Sequence, residues 1–172
     1  MQNSANVTKR IDDWHDIDWY QVNRTIRNLR RRIFKATQNS DWNKVRNLQR
    51  LMFRSYHNVL SAIRRVTEDN KGKNTAGVDK LVIKTPQQRL LLSQEMAKDK
   101  SCKPLPAKRI YISKKNGKPR PLGIPTIKDR CLQAIVKNAL EPCWEAQFEG
   151  ESYGFRPGRS THDAIGKIYL IG

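Results

Sequence analysis

Apolar positions in the first third of the chain recur at helical spacing. Val22, Ile26, Leu29 and Ile33 follow one another at steps of 4, 3 and 4, which sets them on one face of an α-helix. Arg24, Arg27, Arg31 and Lys35 fall on the opposite face. Asn39-Ser40-Asp41 breaks the pattern, and Ser40 or Asp41 supplies an N-cap for a second helix. Trp42, Val45, Leu48, Met52, Tyr56, Val59, Ile63 and Val66 then step by three and four. This predicts that the second helix is long, with its aromatic and Met positions in the core and Arg46, Arg50 and Arg54 as its basic stripe. The short polar joint makes the two helices antiparallel neighbours.

Beyond residue 66 the pattern changes. Residues 68–80, EDNKGKNTAGVDK, read as a loop. Thr85-Pro86 is a helix start, with Thr at the N-cap and Pro in the first turn. That helix runs to about Lys98, with Leu90, Leu91 and Met96 inward. Arg109, Tyr111 and Ser113 alternate with Ile110 and Ile112, the mark of a half-buried strand. Asn116-Gly117 is a strong hairpin signal, because both turn residues take positive φ. The return strand carries Lys118, Arg120 and Leu122, and Pro119 and Pro121 keep it at a sheet edge or make it very short. Thr126 caps a further helix with Leu132, Ile135, Val136, Ala139 and Leu140 as its apolar face and Pro142 near its end. The expected class is α+β: an antiparallel helix pair, then packed helices with a basic β-hairpin.

Composition narrows the function. The chain has 172 residues and 37% apolar content, below the roughly 45–50% of an average domain. No apolar run approaches the ~20 residues of a membrane span, so no membrane partner is expected. The first twenty residues lack the apolar core of a signal peptide. Three Cys and three His show no metal-ligand spacing, and an odd Cys count argues against a disulfide framework. An intracellular, reduced setting is expected.

The net charge is +18. It is concentrated: residues 21–65 hold twelve positive groups against one negative, and residues 101–130 nine against one. A solvated face carries mixed signs, whereas one-sided blocks persist where an anion is expected. Arginine forks bind phosphate bidentately, so the partner is a polyanion. Nothing in the stripes reads bases, so any specificity comes from shape.

The chemistry-bearing motifs lie further on. RPLGIPT (120–126), DRCLQ (129–133), LEP (140–142) and SYGFRPGRSTHDA (152–164) stand in this order, preceded by NTAGVD (74–79). The series resembles the reverse transcriptases encoded by bacterial and organellar group II introns, over about residues 14–170. The resemblance implies an incomplete right-hand polymerase fold: a basic helical N-terminal extension over 1–66, then fingers and the beginning of the palm over 67–172. It implies that the hairpin closes on the incoming nucleotide, with Arg120 on the triphosphate and Lys114 or Lys115 second. It implies RNA as partner, both folded group II intron and template, gripped by Arg24, Arg27, Arg31, Lys35, Arg46, Arg50 and Arg54, and by Lys71 and Lys73 of the 70–80 loop. A DNA target belongs to full-length relatives.

Two-metal nucleotide transfer needs a set of carboxylates around Mg²⁺. In the family these are an Asp on the first palm strand and a later Tyr/Phe-x-Asp-Asp turn, and neither is in this chain. No cofactor is therefore expected here, Mg²⁺ belonging to a full-length relative, and the chain alone is predicted not to polymerise. Asp12-Asp13 lacks the hairpin context and reads as helix-start acids. Asp79, Asp129 and Asp163 take structural roles, Asp129 with the option of an arginine partner, and His162 sits at a helix start. Trp144 and Phe148 are expected under the 152–159 loop, and Cys131 and Cys143 as small buried residues. Two functional readings stand: a truncated intron reverse transcriptase, or a standalone RNA-binding module that supports splicing without enzymatic activity. A helix-turn-helix DNA binder is disfavoured, because two long antiparallel helices do not make that unit.

Overall fold

The computed structural model describes residues 13–98, 103–113 and 117–171. It contains α1 (Trp19–Gln38), α2 (Trp42–Arg54), α3 (Tyr56–Arg64) with a π-helical turn at Arg65–Asp69, and α4 (Pro86–Lys98). A two-stranded antiparallel ribbon follows, β1 (Lys108–Ser113) and β2 (Pro119–Ile124), then α5 (Ile127–Gln147) and α6 (Thr161–Ile171). The class is helix-rich α+β.

Local chemistry sets the boundaries. Asp18 and Asp41 cap α1 and α2 through bonds from the Gln21 and Lys44 amides at 3.0 and 3.1 Å. Gln88 N–H donates to Thr85 Oγ1 at 3.2 Å, while Gln88 Oε1 accepts from Thr85 N–H at 3.1 Å, a reciprocal capping box at α4. Val22, Ile26, Leu29 and Ile33 are buried as their spacing requires, and α1 packs against α2, α3 and α5. The core runs through Ile33, Met52, Leu60, Ile63, Cys131 and Ile135.

The second helix is not continuous. It breaks at Ser55, which is extended at ψ 124°. Asn58, fully buried, donates its side-chain amide to the Met52 and Ile135 carbonyls at 3.1 and 3.2 Å. Its oxygen accepts from Asn138 at 2.7 Å. An apolar period cannot reveal a polar side chain that takes over a helix-end carbonyl.

Other inward positions are corrected too. Trp42, Leu91, Val136 and Leu140 are exposed, while Leu92 and Ser93 are buried on α4. The ribbon is not half-buried either: only Ile110 and Ile124 are partly covered, because no third strand or helix lies on it among the described residues. Trp144 and Phe148 stack on each other, both about half exposed, and Arg156 of the 152–159 loop lies over the Phe148 ring as expected, 5.4 Å from its centre. Cys131 is buried, its thiol pushed up to about 12 by burial, but Cys143 is only partly covered.

One ion pair ties α1 to α5. Arg30 meets Glu141 at 2.7 Å, and Lys137 meets the same carboxylate at 3.2 Å. Burial pushes the Glu141 carboxyl up, but the hydrogen bonds from Arg30 and Lys137 win and hold it below its ordinary value. Its contribution is complete above the unfolded pKa of about 4.3 and is lost as pH falls through the lower folded value. In urea titrations at a series of pH values, Glu141→Gln should lose stability at neutral pH and show a shallower decline below pH ~4.3 than the parent. Parallel curves would assign the acid sensitivity elsewhere.

Candidate nucleic-acid interface

Arg24, Arg27, Arg31 and Lys35 all lie exposed along α1. Among the described residues none of the four makes an ion pair. Arg30, between them in sequence, is half-buried and committed to Glu141. The free row is therefore a choice of face, set by the apolar stripe on the other side of the helix.

Arg46, Arg50 and Arg54 are also exposed, but their surroundings differ. They line a groove between α2, α4 and α5. Arg46 donates to Asn43 Oδ1 at 2.6 Å.

The 70–80 loop is held by one side chain. Arg130 donates from Nε to the Pro125 carbonyl at 3.2 Å, from one fork nitrogen to Gly72 at 3.0 Å and from the other to Thr75. Gly77 lies hard against the start of α5: a Cβ there would stand 2.6 Å from Thr126 Cα. Lys71 and Lys73 project from this pinned loop into solvent, Lys73 also reaching the Glu68 carbonyl at 2.9 Å. Glu68 in turn accepts from the Trp14 indole at 2.8 Å and pairs with Arg89 at 3.3 Å.

Asp129, the neighbour of Arg130, does the matching work for the ribbon. Its amide donates to Thr126 Oγ1 at 3.1 Å, capping α5, and its carboxylate accepts from that hydroxyl at 2.7 Å and from the Leu105 amide at 3.3 Å. Two consecutive residues thus hold the loop, the approach to β1 and the exit of β2. The sequence pointed to Asp129 as structural; Arg130 carried no assigned role, although its place in DRCLQ was the available signal.

In the ribbon Ile112 pairs with Arg120, and Arg109 with Gly123. Arg120 is exposed and shares a face with Ile110, Ile112 and Leu122. Lys114 and Lys115 lie outside the described residues, as does Asn116; Gly117 takes the positive φ, 75°, that its turn demands. The structure does not bring Arg120 onto the α1 row, which belongs to another element.

Arg156 of SYGFRPGRSTHDA is buried, which its motif does not announce. Only 9% exposed, it forks onto Glu145 at 2.6–3.2 Å and donates to the Glu149 and Ser152 carbonyls at 2.6 and 2.8 Å. The Glu145 hydrogen bonds raise its pKa and keep it charged. The clamp allows its neighbour Phe155 to sit at φ 59°, fully exposed. Asp163 accepts from the Ser160 amide and hydroxyl at 2.6 and 2.8 Å at the start of α6, which holds its carboxyl below the ordinary value. His162 is exposed. Asp79 accepts from the Leu81 amide in the loop, and Asp13 from the His15 amide; Asp12 lies outside the described residues.

Among the described residues no three of His, Cys, Asp or Glu gather where they could hold a cation. Several described carboxylates are engaged in caps, loops and ion pairs, among them Asp79, Asp129, Asp163 and Glu141. No described helix is long and apolar enough to cross a membrane.

Replacing Arg130 tests the hub. Arg130→Lys keeps the charge but not the fork, and should cost about 1 kcal/mol, Arg130→Ala about 2, since the accepting carbonyls are partly solvated. Amide exchange at residues 72–77 and 103–107 should quicken first. Unchanged protection there would mean that loop and ribbon hold themselves.

Two family models match in tandem: the N-terminal domain of reverse transcriptase over residues 14–96, and reverse transcriptase (RNA-dependent DNA polymerase) over residues 112–170. Protein YkfC of Escherichia coli is 44% identical over 115 residues, 64% of this chain and 30% of that protein. The group II intron-encoded protein LtrA of Lactococcus lactis is 42% identical over 101 residues, 58% of this chain and 17% of LtrA. Maturase-like protein 1 of Euglena gracilis is 32% identical over 148 residues, 86% of this chain and 32% of its own length. The chain thus spans a third or less of the length of these relatives. With both models in their proper order and these relatives beside them, the chain belongs to the group II intron reverse transcriptase/maturase family, whose N-terminal part it matches.

Proposed function

We propose that this chain holds RNA as the N-terminal extension (1–66) and fingers with the start of the palm (67–172) of a group II intron reverse transcriptase/maturase. The observation that carries the reading is the α1 row: Arg24, Arg27, Arg31 and Lys35, exposed and unpaired among the described residues of a chain of net charge +18. Such a row is costly in self-repulsion unless a polyanion neutralises it. The choice of RNA rests on the relatives, one named as intron-encoded and another as maturase-like. Lys71 and Lys73 extend the contact from a loop that Arg130 keeps still, and the α2 arginines add to the attracting field. The chain is assigned no catalytic step, because the carboxylate motifs that the resemblance implies for metal binding are not in its sequence.

In equilibrium binding to a structured intron RNA across a salt series, Arg24→Gln, Arg27→Gln and Arg31→Gln together should flatten the slope of log K against log salt by about 0.7–0.9 per lost contact. An unchanged slope in a folded variant would remove the row from the interface.

Arg120 serves a different ligand in this reading, the triphosphate of an incoming nucleotide, with Lys114 or Lys115 beside it. In this chain Arg120→Ala should scarcely alter RNA affinity. In a full-length relative carrying RPLGIPT, losing the same arginine removes a charge-assisted bidentate contact of roughly 1.5–3 kcal/mol. Single-nucleotide incorporation should then fall about ten- to hundredfold in kcat/KM, and lysine should restore only part. Unaltered kcat/KM would pass the role to the lysines or remove the ribbon from the nucleotide site.

A further inference from the structure

Helices α2, α4 and α5 leave a groove of about 520 Å³ between them. Most of its lining is aliphatic, with Val59 of α3, Met96 and Ile135 nearly buried beneath it, and the rings of Phe53 and Tyr56 complete it. Val136 and Leu140 flank the floor, 38% and 42% exposed. Arg46, Arg50 and Arg54 form the α2 side. Arg50 and Arg54 have no ion-pair partner among the described residues, and no acidic side chain lines the groove. The concave apolar lining can take a partner's side chains out of water, and the arginines call for anions.

We propose that this groove docks an acidic amphipathic α-helix of a partner protein. The three arginines stand at i, i+4 and i+8 on α2, so they lie one turn apart over about 12 Å. A helix lying alongside presents carboxylates at the same pitch along one edge, and turns residues at i, i+3, i+4 and i+7 onto the floor. A second copy of this chain is opposed by charge, since +18 would meet +18. RNA is the competing occupant, since Phe53, 38% exposed, offers a ring on which a base can stack; the aliphatic majority of the lining, Val59, Met96, Leu132, Ile135, Val136 and Leu140, suits the side chains of a helix better. The two basic stripes are thereby divided, α1 facing a phosphate backbone and α2 a protein helix. Docking in the groove is independent of whether the α1 row binds RNA.

The test uses a designed 16-residue helical peptide with Leu at i, i+3 and i+7 and Glu along one edge, against a scrambled peptide of the same composition. Titrated into the isotopically labelled chain, it should shift amide signals of α2, α4 and α5 around Arg50, Met96 and Val136, saturably, while the scrambled peptide does not. Arg50→Ala with Arg54→Ala should weaken binding about three- to tenfold, and Leu140→Glu about tenfold or more. Both alter exposed positions and leave the core intact; far-ultraviolet circular dichroism checks this. A 20-nucleotide single-stranded RNA runs in parallel. If the RNA, and not the peptide, perturbs the groove, or if neither does, the proposal is overturned. It is overturned equally if sedimentation shows a dimer that Leu140→Glu dissolves.

Discussion

The buried amide of Asn58 is the constraint on which the helical layer depends. A fully buried side-chain amide must find partners for both ends, and here its partners belong to three places: the end of α2, the middle of α5, and Asn138 one turn further along α5. Satisfying it requires α2 to end at Ser55 and α3 to set off in a new direction. Were the helix to run straight from Trp42 to Val66, Met52 would keep its carbonyl and Asn58 would lose that partner.

The basic hub at the start of α5 works by the opposite logic. It binds segments with few apolar anchors by giving their carbonyls a single donor. Loop 70–80 carries little regular hydrogen bonding of its own, yet Arg130 takes two of its carbonyls and a third at the ribbon exit. Gly77 lets the backbone come close enough for that reach. Motifs that lie some fifty residues apart in sequence thus form one local structure.

Period and capping were the legible part of the fold. Val22 to Ile33, the Thr85 and Thr126 caps and the hairpin pairing all follow from short-range rules, and each stands where its residues indicated. What escaped was tertiary. Asn58, off the apolar stripe, gives no hint of which carbonyls it will meet. Leu91 and Leu140 obey helical spacing, but neighbouring helices supply too little surface to cover them. Of the candidate site, the α1 row was legible because a stripe opposite an apolar face has one place to go. Arg156 was not, because a charged residue in a Gly- and Pro-rich motif looks solvent-facing until Glu145 and two carbonyls are seen around it.

Among the described residues only Ile110 and Ile124 of the ribbon are partly covered, so it behaves as a beam clamped at one end. Six residues per strand give it a length of about 20 Å. A rotation of about 5° at the clamp then carries the far strand ends, Ser113 and Pro119, through nearly 2 Å, several times the roughly 0.5 Å within which a binding group must be held. The clamp consists of a few bonds from Asp129 and Arg130. Angular stiffness at the foot of α5, more than the identity of residues at the tip, sets how accurately the far end of the ribbon can be aimed.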